Sequence, residues 1–150
     1  MADGTYKNIE DVLSGELIRA YDEVSESFVN ARVNMAYPHF NTPQVLEIKL
    51  SDGTTLGITP GHPIFTTNGW KSRDIENSLW EHGTVATLLE VGDEVIGINE
   101  NAFVEEINEL DIPENYTTYN LEVDIYHTYI VDGIVVHNAV SKYAGGGMNY

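Results

Sequence analysis

Apolar and polar positions alternate with a period of two through most of this chain. In VLEIKLSDGTTLGITP, Val45, Glu47 and Lys49 fall on one face of a strand and Leu46, Ile48 and Leu50 on the other. Asp52-Gly53 then turns the chain into a second strand over residues 55–59, because Asp-Gly is a pair that tight hairpins favour. PIFTTNGWKSRDI repeats the device with Asn68-Gly69 at its turn. VGDEVIGI, FVEEINELDI, TTYNLEVDIY and HTYIVDGIVVHN also read as strands with turn residues between them. IEDVLSGELIRAYDE alternates, breaks at Ser14-Gly15 and resumes, which fits short strands better than a long helix. Asp3-Gly4 has no strand ahead of it and looks like half of a hairpin. Helical periodicity is weak everywhere, and residues 76–90 are ambiguous, with Trp80, His82 and Gly83 in a loop-like setting. Short strands at close spacing predict an all-β domain.

A length of 150 residues suits one domain with a core of its own. Seven Lys+Arg against 24 Asp+Glu leave a net charge of −17, a field that disfavours nucleic acid and anionic membrane surfaces as partners. No run has the length of a membrane span and no signal-peptide order opens the chain, so a cytoplasmic location is the expectation. The absence of cysteine excludes disulfides, thiolate metal sites and a thiol nucleophile within this chain.

Five histidines raise the question of a metal. His39 stands in a Pro/Asn/Thr-rich stretch and His82 in a Gly-containing one, neither with partners at helical ligand spacing. Both read as solvated loop histidines, and neither a metal nor another cofactor is expected. T-P-G-H, Thr59 to His62, is more pointed: a stiff Pro-Gly turn can aim a hydroxyl and an imidazole at one peptide bond. It can equally be a plain turn in which His62 is incidental.

The end of the last strand offers a specific reaction. An Asn carboxamide can attack its own main-chain carbonyl, closing a succinimide and releasing the next residue's amine. Histidines that protonate the departing nitrogen or help remove the amide proton each add roughly two to four powers of ten. His137 adjoins Asn138, and a hairpin about Asp132-Gly133 sets His127 almost opposite Asn138, each five residues from the turn.

Together these segments resemble the intein and Hint (hedgehog/intein) family, from ADGTYKNIEDV to HNA. ADGTYKNIED is similar to the end of the family's first motif, and GTTLGITPGHPIFTTNGWKSRDI to its second, with T-x-x-H. VGDEVI is similar to a recurrent V-G-D-x-V strand, and YNLEVDIYHTYIVDGIVVHN to the two closing motifs. The resemblance implies a compact, horseshoe-like all-β fold whose chain ends meet at the active site, with no endonuclease insert. It implies a domain over residues 1–138 and a flanking, extein-like tail over 139–150, with host-protein sequences as its neighbours. By the same resemblance, Thr59 and His62 grip and polarise the upstream scissile peptide. His127 and His137 assist cyclisation, and Asn138 cyclises.

Three departures from the family pattern bear on the activity. The first strand, with its Ser or Cys nucleophile, is expected ahead of ADGT, either on a short separate N-terminal fragment, as in a split intein, or lost by truncation. Asn120 stands where many inteins carry an aspartate, and an amide cannot ionise. Ala139 follows Asn138 where splicing needs Ser, Thr or Cys, so ligation of the flanks is blocked while cleavage stays open. Acidic charge is expected to help recruit a neutral-to-basic fragment. The competing reading is a catalytically silent acidic β-domain that binds a protein partner.

Overall fold

The computed structural model describes residue 2 and residues 5–137. Asp3-Gly4, Asn138, Ala139 and the boundary between domain and tail lie outside the described residues. In chain order come β1 (Leu17–Asp22), β2 (Ser27–His39), β3 (Leu46–Leu50), β4 (Thr55–Ile58), β5 (Ile64–Thr66) and β6 (Gly69–Ser72). Helix α1 (Ile75–His82) follows, then β7 (Thr87–Leu88), β8 (Glu94–Val95) and β9 (Ala102–Glu109). The described chain closes with β10 (Thr118–Val123), β11 (Thr128–Val131) and β12 (Ile134–His137). This is the all-β architecture that the alternation predicts.

Two curled sheets share the core. The smaller has the order β1-β2-β10, and the larger runs β11-β12-β5-β8-β9-β3-β4, with β6 and β7 attached at β5. The long strand β2 pairs with β1 from Ser27 to Arg32 and with β10 from Val33 to His39, so one strand serves two neighbours in succession. Leu46, Ile48 and Leu50 are buried as their alternation requires, against Leu56 and Ile58 of β4 and Val104 of β9. Ile64 of β5 pairs with Val136 of β12, and both are fully buried, which ties the closing hairpin to the centre of the larger sheet.

The closing hairpin has the register read from its sequence, with Val131 opposite Ile134 and Thr128 opposite His137. Asp132 and Gly133 both have positive φ, 49° and 83°. Two consecutive left-handed residues make the turn whose twist matches right-twisted strands, and Gly tolerates that backbone without a Cβ penalty.

Residues 75–82 correct the loop expectation. They form α1, capped by the Asp74 carboxylate, which accepts from Asn77 N–H at 3.1 Å, and ended by Gly83 at φ 65°. Among the described side chains, α1 buries Ser78 and His82, four residues apart on one face, while Ile75, Leu79 and Trp80 stay exposed. A buried face made of polar residues carries no apolar repeat, which is why periodicity does not reveal this helix.

The expectation of solvated histidines is corrected with it. His82 is only 2% exposed. His39 ends β2 half-buried, with an Nδ1 that is buried without a hydrogen-bond partner, and burial pulls its pKa down. Among the described residues no three His, Asp or Glu side chains gather as a metal site. No helix among them is long and apolar enough to cross a membrane.

Candidate functional site

Beyond β4 the chain makes the stiff turn that T-P-G-H predicts, with His62 N–H donating to the Thr59 carbonyl at 3.1 Å. Helix α1 and the residues before it hold this turn by its backbone. Arg73 and Asp74 N–H donate to the Pro60 carbonyl at 3.0 and 2.9 Å, and Ser78 Oγ donates to the Gly61 carbonyl at 2.7 Å. A Cβ on Gly61 would stand 2.8 Å from the Asn77 side chain, so only glycine admits the helix this close.

His62 is thereby buried, 7% exposed, with Nε2 lying 3.0 Å from the carbonyl oxygen of His137. A carbonyl can only accept, so Nε2 carries the hydrogen and Nδ1 is left as the acceptor of a neutral ring. Burial pushes the His62 pKa down to about 4, against the carbonyl bond, which favours the proton; the charge of His137 lowers it further. The ring is neutral at physiological pH. His137 itself ends β12, with its N–H donating to the Pro63 carbonyl at 3.1 Å. Its ring is half-buried and meets Trp70 edge to face, centroids 5.0 Å apart.

Asn120 is buried on β10, and its Oδ1 accepts from Tyr129 Oη at 2.7 Å and from Leu121 N–H at 2.8 Å. Burial raises the Tyr129 phenol well above its ordinary pKa, so it remains a donor. The Asn120 amide thus ties β10 to β11. Asn120→Leu is expected to strand a buried hydroxyl and a buried N–H, at a cost of about 1–3 kcal/mol. Chemical denaturation measures it, and an unchanged midpoint would contradict the tether.

Thr59, His62, Asn120, His82 and Tyr129 line one cavity of about 90 Å³. Beside it opens a groove of about 660 Å³, bordered by Lys7, Arg19, Ile130 and Asp132, whose carboxyl pKa is raised by burial. Ile9, Gly57, Tyr129 and Val131 line both spaces.

His127 stands apart from this group. It is exposed, has φ 56° and precedes the first residue of β11. Its expected neighbour, Asn138, lies outside the described residues. Thr128 is buried and its hydroxyl bridges the backbone of Tyr21, accepting from N–H at 2.7 Å and donating to C=O at 2.9 Å. That bond anchors the start of β11 to β1. The structure therefore brings together Thr59, His62, Asn120 and the backbone of His137, and adds Tyr129 and His82. Nothing local in the sequence marks Tyr129, whereas the Asp74 cap and Gly83 were available signals for the helix that carries His82.

No family model and no curated protein matches the chain. Solved structures do match. The Ssp DnaB mini-intein variant M86 is 18% identical with a TM-score of 0.75, over 93% of this chain and 88% of that one. A DnaB intein from Synechocystis sp. PCC 6803 is 20% identical with a TM-score of 0.70, over 91% and 89%. A bacterial intein-like domain from Clostridium thermocellum is 25% identical with a TM-score of 0.68, over 87% and 86%.

Proposed function

Because the chain has the Hint-domain fold of inteins, we propose that it is a single-turnover autoprocessing domain that breaks its own backbone after Asn138. The observation that carries this reading is the bond from His62 Nε2–H to the carbonyl of His137. It joins the T-P-G-H turn to the peptide immediately before Asn138, where the pairing of β5 with β12 has brought the two segments side by side.

In the proposed step, Asn138 Nδ2 attacks the Asn138 carbonyl carbon, the bond from that carbon to the Ala139 nitrogen breaks, and a succinimide forms. His137 delivers the proton that the departing Ala139 amine needs, and His127 helps remove one from the carboxamide. Each supplies general acid-base assistance of roughly two to four powers of ten. Asn120 cannot relay a proton and serves as a tether. Ala139 has no nucleophilic atom, so the flanks are released, not joined.

Thr59 and His62 act on an upstream peptide, with the bare Nδ1 of His62 accepting from its N–H. The strand bearing the Ser or Cys nucleophile lies along the groove beside β11. The shared walls of groove and cavity support this placement, since a strand in the groove ends near Thr59 and His62.

Mass spectrometry of the incubated full chain tests the reading. Loss of residues 139–150, leaving a succinimide or hydrolysed Asn, is expected, and His137→Ala should slow it about a hundredfold. A full-length mass that persists with and without an added N-terminal peptide would overturn autoprocessing in favour of a binding domain. Unaltered release in His137→Ala would remove the acid role alone.

A further inference from the structure

A histidine outside the motif residues packs against the ring of His62. We propose that His82 is a positioning residue, whose ring at the end of α1 holds the His62 ring in the plane from which its Nε2–H meets the carbonyl of residue 137. The proposal rests on the autoprocessing reading for its consequence, but the placement stands on geometry. The His82 and His62 rings lie with centroids 4.8 Å apart and planes tilted by 37°. Tyr129 stands near the same ring edge-on, at 6.1 Å and 68°. His62 thus packs against both an imidazole and a phenol.

Such a neighbour is needed because the outer torsion of a histidine side chain is broad. A partial turn of the His62 ring swings Nε2–H out of line with the carbonyl of residue 137. The bond to that carbonyl is then weakened or lost. One hydrogen bond fixes a point on the ring; a flat neighbour fixes its plane.

His82 is well placed to be that neighbour. It is 2% exposed, and α1 is joined to the turn carrying His62 through Pro60, Gly61 and Ser78. Ser78 and His82 share one face of the helix, so the helix grips the backbone of the turn with one residue and the ring with the other. A ring buried at this position fits a job of alignment better than one of solvation.

The test uses the full chain with Asn138→Ala, which keeps the tail attached, for imidazole nitrogen NMR, and the cleaving chain for release rates. His82→Leu keeps apolar bulk but removes the flat ring, whereas His82→Phe keeps it. In the leucine variant His62 is expected to pass from a single Nε2–H tautomer to a mixture, and tail release to slow about tenfold through lost orientation. In the phenylalanine variant both should stay close to the starting chain.

A leucine variant with the single tautomer and full rate would overturn the proposal. So would a phenylalanine variant that loses as much as leucine, or a tautomer change with no change in rate in a chain that cleaves. Where the leucine variant does not fold, the phenylalanine variant decides by keeping or losing the single tautomer. If no form of the chain cleaves, autoprocessing fails, while the tautomer comparison still decides what His82 does.

Discussion

Asn138→Ala is expected to stop release of residues 139–150, slowing it by more than about a thousandfold. In the proposed reaction the attacking carboxamide is part of the chain it cuts, so its effective concentration at the carbonyl is set by covalent attachment, not by diffusion. Alanine leaves only hydrolysis by water. Asn138→Gln sharpens the test, since one added methylene requires a larger ring and a different approach to the carbonyl. The glutamine variant should be slowed strongly as well. Mass spectrometry over a long incubation reads both variants, and release from Asn138→Ala at the rate of the starting chain would mean that the bond is broken by something other than residue 138.

The second large effect is on stability against acid. His62 is buried neutral with a pKa pushed down to about 4 from the ordinary 6.5. An unfolded chain takes up a proton at this ring below about pH 6.5, while the folded one resists until about pH 4. The contribution is therefore fully present above pH 6.5 and is lost as pH falls from there through 4. The loss amounts to up to about 3 kcal/mol. His39, also held below its ordinary value by burial, adds to the slope with the same sign. The difference between the starting chain and His62→Gln isolates the His62 part, because glutamine can still donate to the carbonyl but does not titrate. Denaturant midpoints across this range should fall more steeply with acid in the starting chain than in the glutamine variant. Parallel slopes would show that His62 is not buried as a neutral ring.

The parts of this fold legible in the sequence are those governed by near neighbours. Alternation over residues 46–50 predicts which side chains of β3 are buried, and Asp132-Gly133 predicts a left-handed two-residue turn and the Thr128–His137 register. The T-P-G-H turn is legible for the same reason. Helix α1 is not, because the residues it buries are Ser78 and His82 and the apolar ones face outward. Nor is the exchange of partners along β2 at Arg32 and Val33, which depends on two distant strands. The contact between His62 and residue 137 spans 75 positions, so no local pattern contains it. Only tertiary structure supplies the atoms that meet.

That contact involves main chain at one end and a side chain at the other. Since His62 recognises the carbonyl of residue 137 and not its imidazole, any amino acid placed there presents the same oxygen to the clamp. Under the proposed mechanism, holding the peptide and feeding it a proton are thus separable tasks at a single position. A panel of substitutions at 137 would vary proton supply while leaving the grip constant, turning one residue into a dial for the speed of self-cutting.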